Sequence, residues 1–183
     1  IFKMLKKEAT AITGGLSAPN KMPGPSINLP AVACITGAKL VKVKGTTCRG
    51  CYALKGRYVF PNVAAALERR YQAMVADYDA WADAMARLID GLCQKHFRWH
   101  DAGDLQGLAH LLAIVRIAMQ TPATQHWLPT REYAIVKAYR AQYGAFPANL
   151  TVRLSAHMIN GLTPDYGLPT STVTTSTTPE GSH

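Results

Sequence analysis

The chain has 183 residues, of which 48% are hydrophobic and only 17% charged, the composition of one globular domain with a filled interior, and this excludes a disordered polymer. The formal charge of +9 admits a polyanionic partner such as nucleic acid. Four cysteines are too few for a disulfide-dense scaffold, and no apolar run reaches the roughly 20 residues of a membrane-spanning helix, so the expectation is a soluble, cytoplasmic protein without a membrane partner.

The first ten residues are basic and amphipathic, with no apolar core of a signal peptide. From Lys21 to Tyr58, proline, glycine and short extended pieces dominate, and the alternation over Lys39 to Lys44 reads as one such piece. Helical spacing of Val63, Leu67, Tyr71, Met74, Val75 and Tyr78, continued by Trp81, Met85, Leu88 and Leu92 after Asp79, predicts two helices or one bent helix over 62–93. Cys93 falls in that apolar pattern and is expected to be a buried, inert thiol. A strand at Phe97 to His100 leads through Asp101 to Asp104 into a helix from Leu105 to Met119 that Asp104 is placed to cap. A second strand, His126 to Pro129, precedes a helix over 131–143, and a third spans Leu150 to Ser155. The Ser- and Thr-rich stretch 170–183 is a late strand or a solvated tail.

Strands alternating with helices imply a parallel sheet in an α/β fold, and four or five strands suit a partial (β/α) barrel better than a closed eight-stranded one. Ligands in such folds gather at the C-terminal ends of the strands. That rule selects His100, Asp101, Gly103 and Asp104 after the first of these strands, Thr130 and Arg131 after the second, and Ser155 and His157 after the third. An imidazole and two acids suit proton transfer or recognition of a cofactor's amine and ribose, and Arg131 suits a carboxylate or phosphate. Helix capping and turn formation explain Asp104, Asp101 and Thr130 equally well.

The strongest chemical signal is Cys34, Cys48 and Cys51, a C-x13-C-x2-C arrangement in a glycine-rich loop. A short Cys-x-x-Cys turn directs both sulfurs to one metal or cluster, and Cys34 supplies the third. Zinc would want a fourth ligand, for which Cys93, His96 and His100 are candidates in the folded chain. Lys39, Lys42, Lys44, Arg49, Lys55 and Arg57 gather nearby, as a solvated basic surface or as a functional patch.

The runs Lys21 to Gly24, Leu29 to Ala31 before Cys34, Cys48 to Tyr58, Phe97 to Asp104 and Trp127 to Glu132 resemble the phage-encoded gene-product-eighty-eight family over residues 20–160. More distantly, a three-cysteine loop ahead of alternating helices and strands resembles the radical S-adenosylmethionine superfamily. That resemblance implies a [4Fe–4S] cluster on Cys34, Cys48 and Cys51, with one iron left for S-adenosylmethionine, and it makes Gly103-Asp104 similar to a reduced Gly-Gly-Glu amine-binding motif. The superfamily's usual spacing is C-x3-C-x2-C, with the aromatic residue before the last cysteine. Here thirteen residues separate the first two cysteines, and Tyr52 follows the last. Relatives continue into another cysteine-containing segment where this sequence stops at His183, so a truncated end, with cysteines for a second metal or a cover over the first, is consistent with the resemblance. The expected function is an iron–sulfur protein of the infected host's cytoplasm with a radical-enzyme-like barrel and an unidentified substrate. The alternative is a nonenzymatic zinc or iron–sulfur module that engages nucleic acid or a host protein through its basic surface.

Overall fold

The computed structural model describes residues 4–19 and 24–175. Five parallel strands form one sheet in the order of the sequence: β1 (Ser26–Ile27), β2 (His96–Trp99), β3 (Gln125–Thr130), β4 (Leu150–Ser155) and β5 (Thr170–Ser171). The sheet is not closed. Its longest pairing aligns His126 with Leu150 and Thr130 with Leu154, while β1 and β5 are two-residue edges. An antiparallel bridge from Ser17 to Ser26 extends the β1 edge and takes up backbone groups that would otherwise invite pairing with another chain.

The period-two alternation of the strands sorts the two faces of the sheet. Phe97, Trp99, Leu128, Val152 and Leu154 are buried in the principal core. The helices that cover them are α4 (Tyr78–Asp90), α5 (Leu108–Gln120) and α6 (Tyr133–Tyr143), through Trp81, Met85, Leu111, Ile114, Ile117 and Val136. Trp81, Phe97 and Trp99 meet at tilted and edge-on angles with centroids 4.9–6.1 Å apart, the geometry that aromatic quadrupoles favour. The opposite face carries Arg98, Trp127, Thr151 and Arg153 and is left uncovered by this core.

Helix α1 (Lys6–Thr13) packs on α4 through Ala9, Ala84 and Leu88. The sequence from Pro61 to Asp90 forms two helices, α3 (Pro61–Ala76) and α4, as the spacing predicts. The break lies at Asp77, whose Oδ1 accepts hydrogen bonds from the amides of Asp79 and Ala80, both 2.9 Å, and so starts the second helix. Proline at the first position of α3 costs no hydrogen bond there.

Three expectations change. Lys39 to Lys44 is not extended: α2 (Ile35–Leu40) covers its start and turns follow, because Glu132 binds the first turn of the helix. Helix α5 starts at Leu108 instead of Leu105, and Asp104 does not cap it; three donors described below hold that carboxylate elsewhere. Cys93 is exposed and sits at φ 52° just beyond α4, so it is not a core thiol. Of the Ser- and Thr-rich end, Thr170–Ser171 is strand β5, and residues 176–183 lie outside the described residues, as do Lys21, Met22 and Pro23 of the first motif.

Candidate functional site

Because all five strands are parallel, their C-terminal ends share one edge of the sheet, and a cavity of about 1200 Å³ opens there and across the uncovered face. Cys34, Cys48 and Cys51 line it from the loop side, and His100, Asp101 and Asp104 line it from the end of β2. Gly103, Arg131 and Ser155 line it as well. Thr130 lies behind this wall: its hydroxyl donates to Asp104 Oδ1 at 2.6 Å and accepts from the Glu132 amide at 3.0 Å. His157 donates from Nε2 to the Arg131 carbonyl at 2.8 Å and stacks on Tyr133 at 4.1 Å, which fixes the chain leaving β4.

Several side chains bind the cysteine loop to the strand ends. Glu132, only 5% exposed, accepts from the Thr36 amide at 2.8 Å and the Thr36 hydroxyl at 2.7 Å, two residues after Cys34. Arg131 Nε donates to Thr47 Oγ1 at 3.1 Å, and the Thr47 amide donates to the His157 carbonyl, next to Cys48. On the far side of Cys51, Tyr52 donates its hydroxyl to the Asp101 carbonyl, and Tyr58 donates to Asp101 Oδ2 at 3.1 Å. Asp101 also receives Ser26 Oγ and Asn28 Nδ2 at 3.4 Å each, so it joins β1, β2 and the loop.

Asp104 has a similar bracing role. Its oxygens accept from the Leu105 amide at 2.8 Å, the Arg131 amide at 2.8 Å and Thr130 Oγ1, which ties the ends of β2 and β3 together. Burial pushes its carboxyl up to about 6, against the lowering effect of those three donors. Gly103 stands at φ +87°, and a Cβ there would lie 2.6 Å from Leu29 Cβ, so this turn requires glycine.

The thiols share one small space. A Cβ on Gly37 would lie 3.6 Å from Cys34 Sγ and 3.8 Å from Cys48 Sγ. Burial pushes the Cys34 thiol up to about 12, and Asp104, Cys51, Cys48 and Glu132 add to the effect in that order. Burial also raises Cys48, partly offset by Arg131. Among the described residues, no three His, Cys, Asp or Glu side chains are gathered tightly enough to hold a metal ion as they stand.

His100 is the least satisfied polar group at this edge. It is 4% exposed at φ 54°, and neither ring nitrogen has a hydrogen-bond partner among the described residues. Burial, followed by the nearby Arg98 charge, lowers its pKa to about 3, so it is a neutral imidazole.

The family pattern described as Gene product 88 matches residues 3–179. This chain belongs to the Gene product 88 family. No curated protein and no solved structure matches it. Among its described residues, no helix is long and apolar enough to cross a membrane.

In this Gene product 88 chain, the sequence motifs meet in space. The Cys48 to Tyr58 run reaches the Phe97 to Asp104 run through Tyr52, Tyr58 and Asp101, and the Trp127 to Glu132 run reaches the loop through Arg131 and Glu132. Sequence reasoning missed Thr36, Tyr52, Tyr58 and Glu132 as the bonds that position the cysteines. The adjacency of Tyr52 to Cys51 was a usable signal; the reach of Glu132 across 96 residues to Thr36 was not.

Glu132→Ala is expected to leave the half-buried Thr36 amide without its acceptor and to loosen the Cys34 loop by about 1–3 kcal/mol. The reaction of Cys34 with a thiol reagent should then accelerate about tenfold or more. An unchanged rate, with the fold intact, would show that Glu132 does not hold the loop.

Proposed function

We propose that this protein binds an iron–sulfur cluster through Cys34, Cys48 and Cys51, at the mouth of an open, radical-enzyme-like partial (β/α) barrel in the cytoplasm of a phage-infected cell. The observation that carries this reading is the convergence of three cysteines, the first and last 17 residues apart in sequence, on one cavity at the C-terminal edge of a parallel sheet. Sequential strand order with the helices on one face is also the winding a barrel requires.

The donor set fits a cluster better than a lone zinc ion. Tetrahedral zinc needs four ligands each about 2.3 Å from one point when they are sulfur. Among the described residues the three thiols line one cavity without gathering about a single point, which suits a polynuclear cluster that holds its thiolates farther apart. A bound cluster would require the thiols as thiolates, and the Arg131 charge favours the thiolate at Cys48.

When bound, a [4Fe–4S] cluster with three protein sulfurs supplies an iron open to an exogenous ligand. S-adenosylmethionine is the ligand that the radical-enzyme likeness suggests. His100 and Arg131 both line that end of the cavity, and Arg131 brings a cation suited to a carboxylate. Asp101, Gly103 and Asp104 shape the turn beneath them, and Thr130 braces Asp104. Ser155 closes the β4 side with its Oγ 3.2 Å from that of Ser171.

S-adenosylmethionine is expected to change the electron paramagnetic resonance spectrum of the reduced protein, and His100→Phe should diminish that change several-fold. An unaltered spectrum at saturating cofactor, with no heat of binding, would place the protein outside the radical class. Formation of 5′-deoxyadenosine would establish cleavage.

A second reading, a nonenzymatic metal module that engages nucleic acid, is favoured by the cations on the open face of the sheet.

A further inference from the structure

The uncovered face of the sheet has a chemistry of its own. In β2 and β3, Arg98 and Trp127 are register partners, and the Arg98 guanidinium lies over the Trp127 ring, 4.6 Å from its centroid. Trp127 is 39% exposed, in contrast to Trp81 and Trp99, which are fully buried. One strand further, Arg153 pairs in register with Pro129 and donates to the Thr170 carbonyl at 2.5 Å. Arg98, Trp127 and Arg153 all line the same cavity as the cysteines, and Lys42 and Arg131 add positive charge to its wall.

Among the described residues, the only acids on that wall are Asp101 and Asp104. Both are buried, and both already accept hydrogen bonds from within the fold. The cavity therefore presents an aromatic plane among cations, with its carboxylates engaged. An apolar or cationic ligand would bring no counter-charge to Lys42, Arg131 and Arg153. A phosphate-bearing ligand neutralises them, and a planar base has a partner in Trp127.

We propose that the open face of the sheet binds a nucleotide unit, as a free nucleotide or as part of a single strand, with its base against Trp127 and its phosphate near Arg98 and Arg153. This deepens the proposed function by naming the class of substrate or partner beside the cysteine site, and it rests on that reading only for its catalytic consequence. Binding itself needs no cluster. The inference also explains why an arginine and a tryptophan occupy sheet positions that a solvated surface would fill with small polar side chains.

The test is fluorescence anisotropy of a labelled single-stranded oligonucleotide with the full chain, with and without reconstituted metal, at several salt concentrations. Adenosine monophosphate and duplex DNA serve as competitors. Saturable binding that weakens with salt is expected. Trp127→Ala should weaken it about tenfold, in line with a stacking contribution of roughly 1–3 kcal/mol, and Trp127→Phe should restore most of the loss. Arg153→Glu should weaken it at least tenfold. Lys137→Glu, the same charge change on exposed α6, should have much less effect.

Competition by the mononucleotide would identify a nucleotide pocket; binding of the strand alone would identify a single-strand groove. Absence of binding, equal effects of Lys137→Glu and Arg153→Glu, or duplex binding insensitive to Trp127 would overturn the proposal. Iron and sulfide content, measured on the same samples, reports separately on the cluster.

Discussion

Replacing Cys34, Cys48 or Cys51 by Ala is expected to abolish cluster binding outright, with each single variant recovered colourless and nearly free of iron and sulfide. Three proposed ligands leave no redundancy, because a cluster that loses one of them keeps only two protein sulfurs. The three positions differ in what else they do. Cys34 stands just before α2, two residues from the Thr36 amide that Glu132 binds, and burial raises its thiol to about 12. Cys48 and Cys51 are half-buried about the exposed Arg49 and Gly50, and their variants should remain close to the parent in stability. Cys93→Ala is the internal control. Its side chain is exposed beyond the end of α4, so the variant should keep full iron content and change stability by no more than about 0.5 kcal/mol. Iron retained in Cys34→Ala, or lost in Cys93→Ala, would reassign the ligands.

Acidification is expected to destabilise the fold steeply between pH 6 and pH 4. His100, His110 and His126 are all at most 4% exposed, and burial lowers the pKa of each: His100 to about 3, His126 to about 4 and His110 well below the usual imidazole value. The hydrogen bonds assign the neutral tautomers of two of them. Thr121 donates its own proton to the Ile117 carbonyl, so His126 Nε2 donates to Thr121, and His126 Nδ1 is bare. His110 Nδ1 accepts from the Gln106 amide, so its proton is on Nε2.

Below pH about 6.5 the unfolded chain takes up protons at these three sites while the folded chain does not, and folding stability falls with pH. Asp104 acts in the opposite sense. Its folded pKa of about 6 exceeds the unfolded 3.8, so in this window the folded state holds a proton that the unfolded state has released. Three protons against one leave a net two, or roughly 3 kcal/mol per pH unit. A typical domain has only about 5–15 kcal/mol in total. Urea denaturation at constant ionic strength, followed by tryptophan fluorescence, should show the midpoint falling sharply from pH 6 to pH 5. A flat midpoint would mean that these imidazoles are already charged in the fold or reach water.

The fold was legible where periodicity is strong. The strand Leu150 to Ser155 matches its expected bounds, and the helices after Pro61 and after Thr130 lie where apolar spacing placed them, because those elements bury one face against a single core. The errors arose where a side chain's partner is distant in sequence. Asp104 looked like a helix cap because Leu105 to Met119 reads as apolar helix, yet Thr130 and the Arg131 amide, 26 and 27 residues away, hold it. Lys39 to Lys44 alternates like a strand, yet Glu132 fixes the helix start at Thr36. Cys93 followed an apolar stripe that ends one turn earlier, where Gly91 closes α4.

The candidate site was legible in part for the same reason. Parallel strands guarantee that the residues following them converge, so His100, Asp101, Asp104, Arg131 and Ser155 could be placed at one edge without a structure. Convergence does not reveal which of them already have partners. Asp104 and Thr130 satisfy each other, whereas both nitrogens of His100 lack partners among the described residues. The open, cationic face of β2 to β4 was hidden because only the register and alternation of the strands put Trp99 in the core and Trp127 in the cavity.

Anaerobic purification with iron, acid-labile sulfide and zinc analysis, together with a visible spectrum, tests the central proposal most directly. A [4Fe–4S] cluster on Cys34, Cys48 and Cys51 predicts brown protein with about four irons and four sulfides per chain and broad absorbance near roughly 400 nm. Colourless protein carrying one zinc per chain and no sulfide would contradict it.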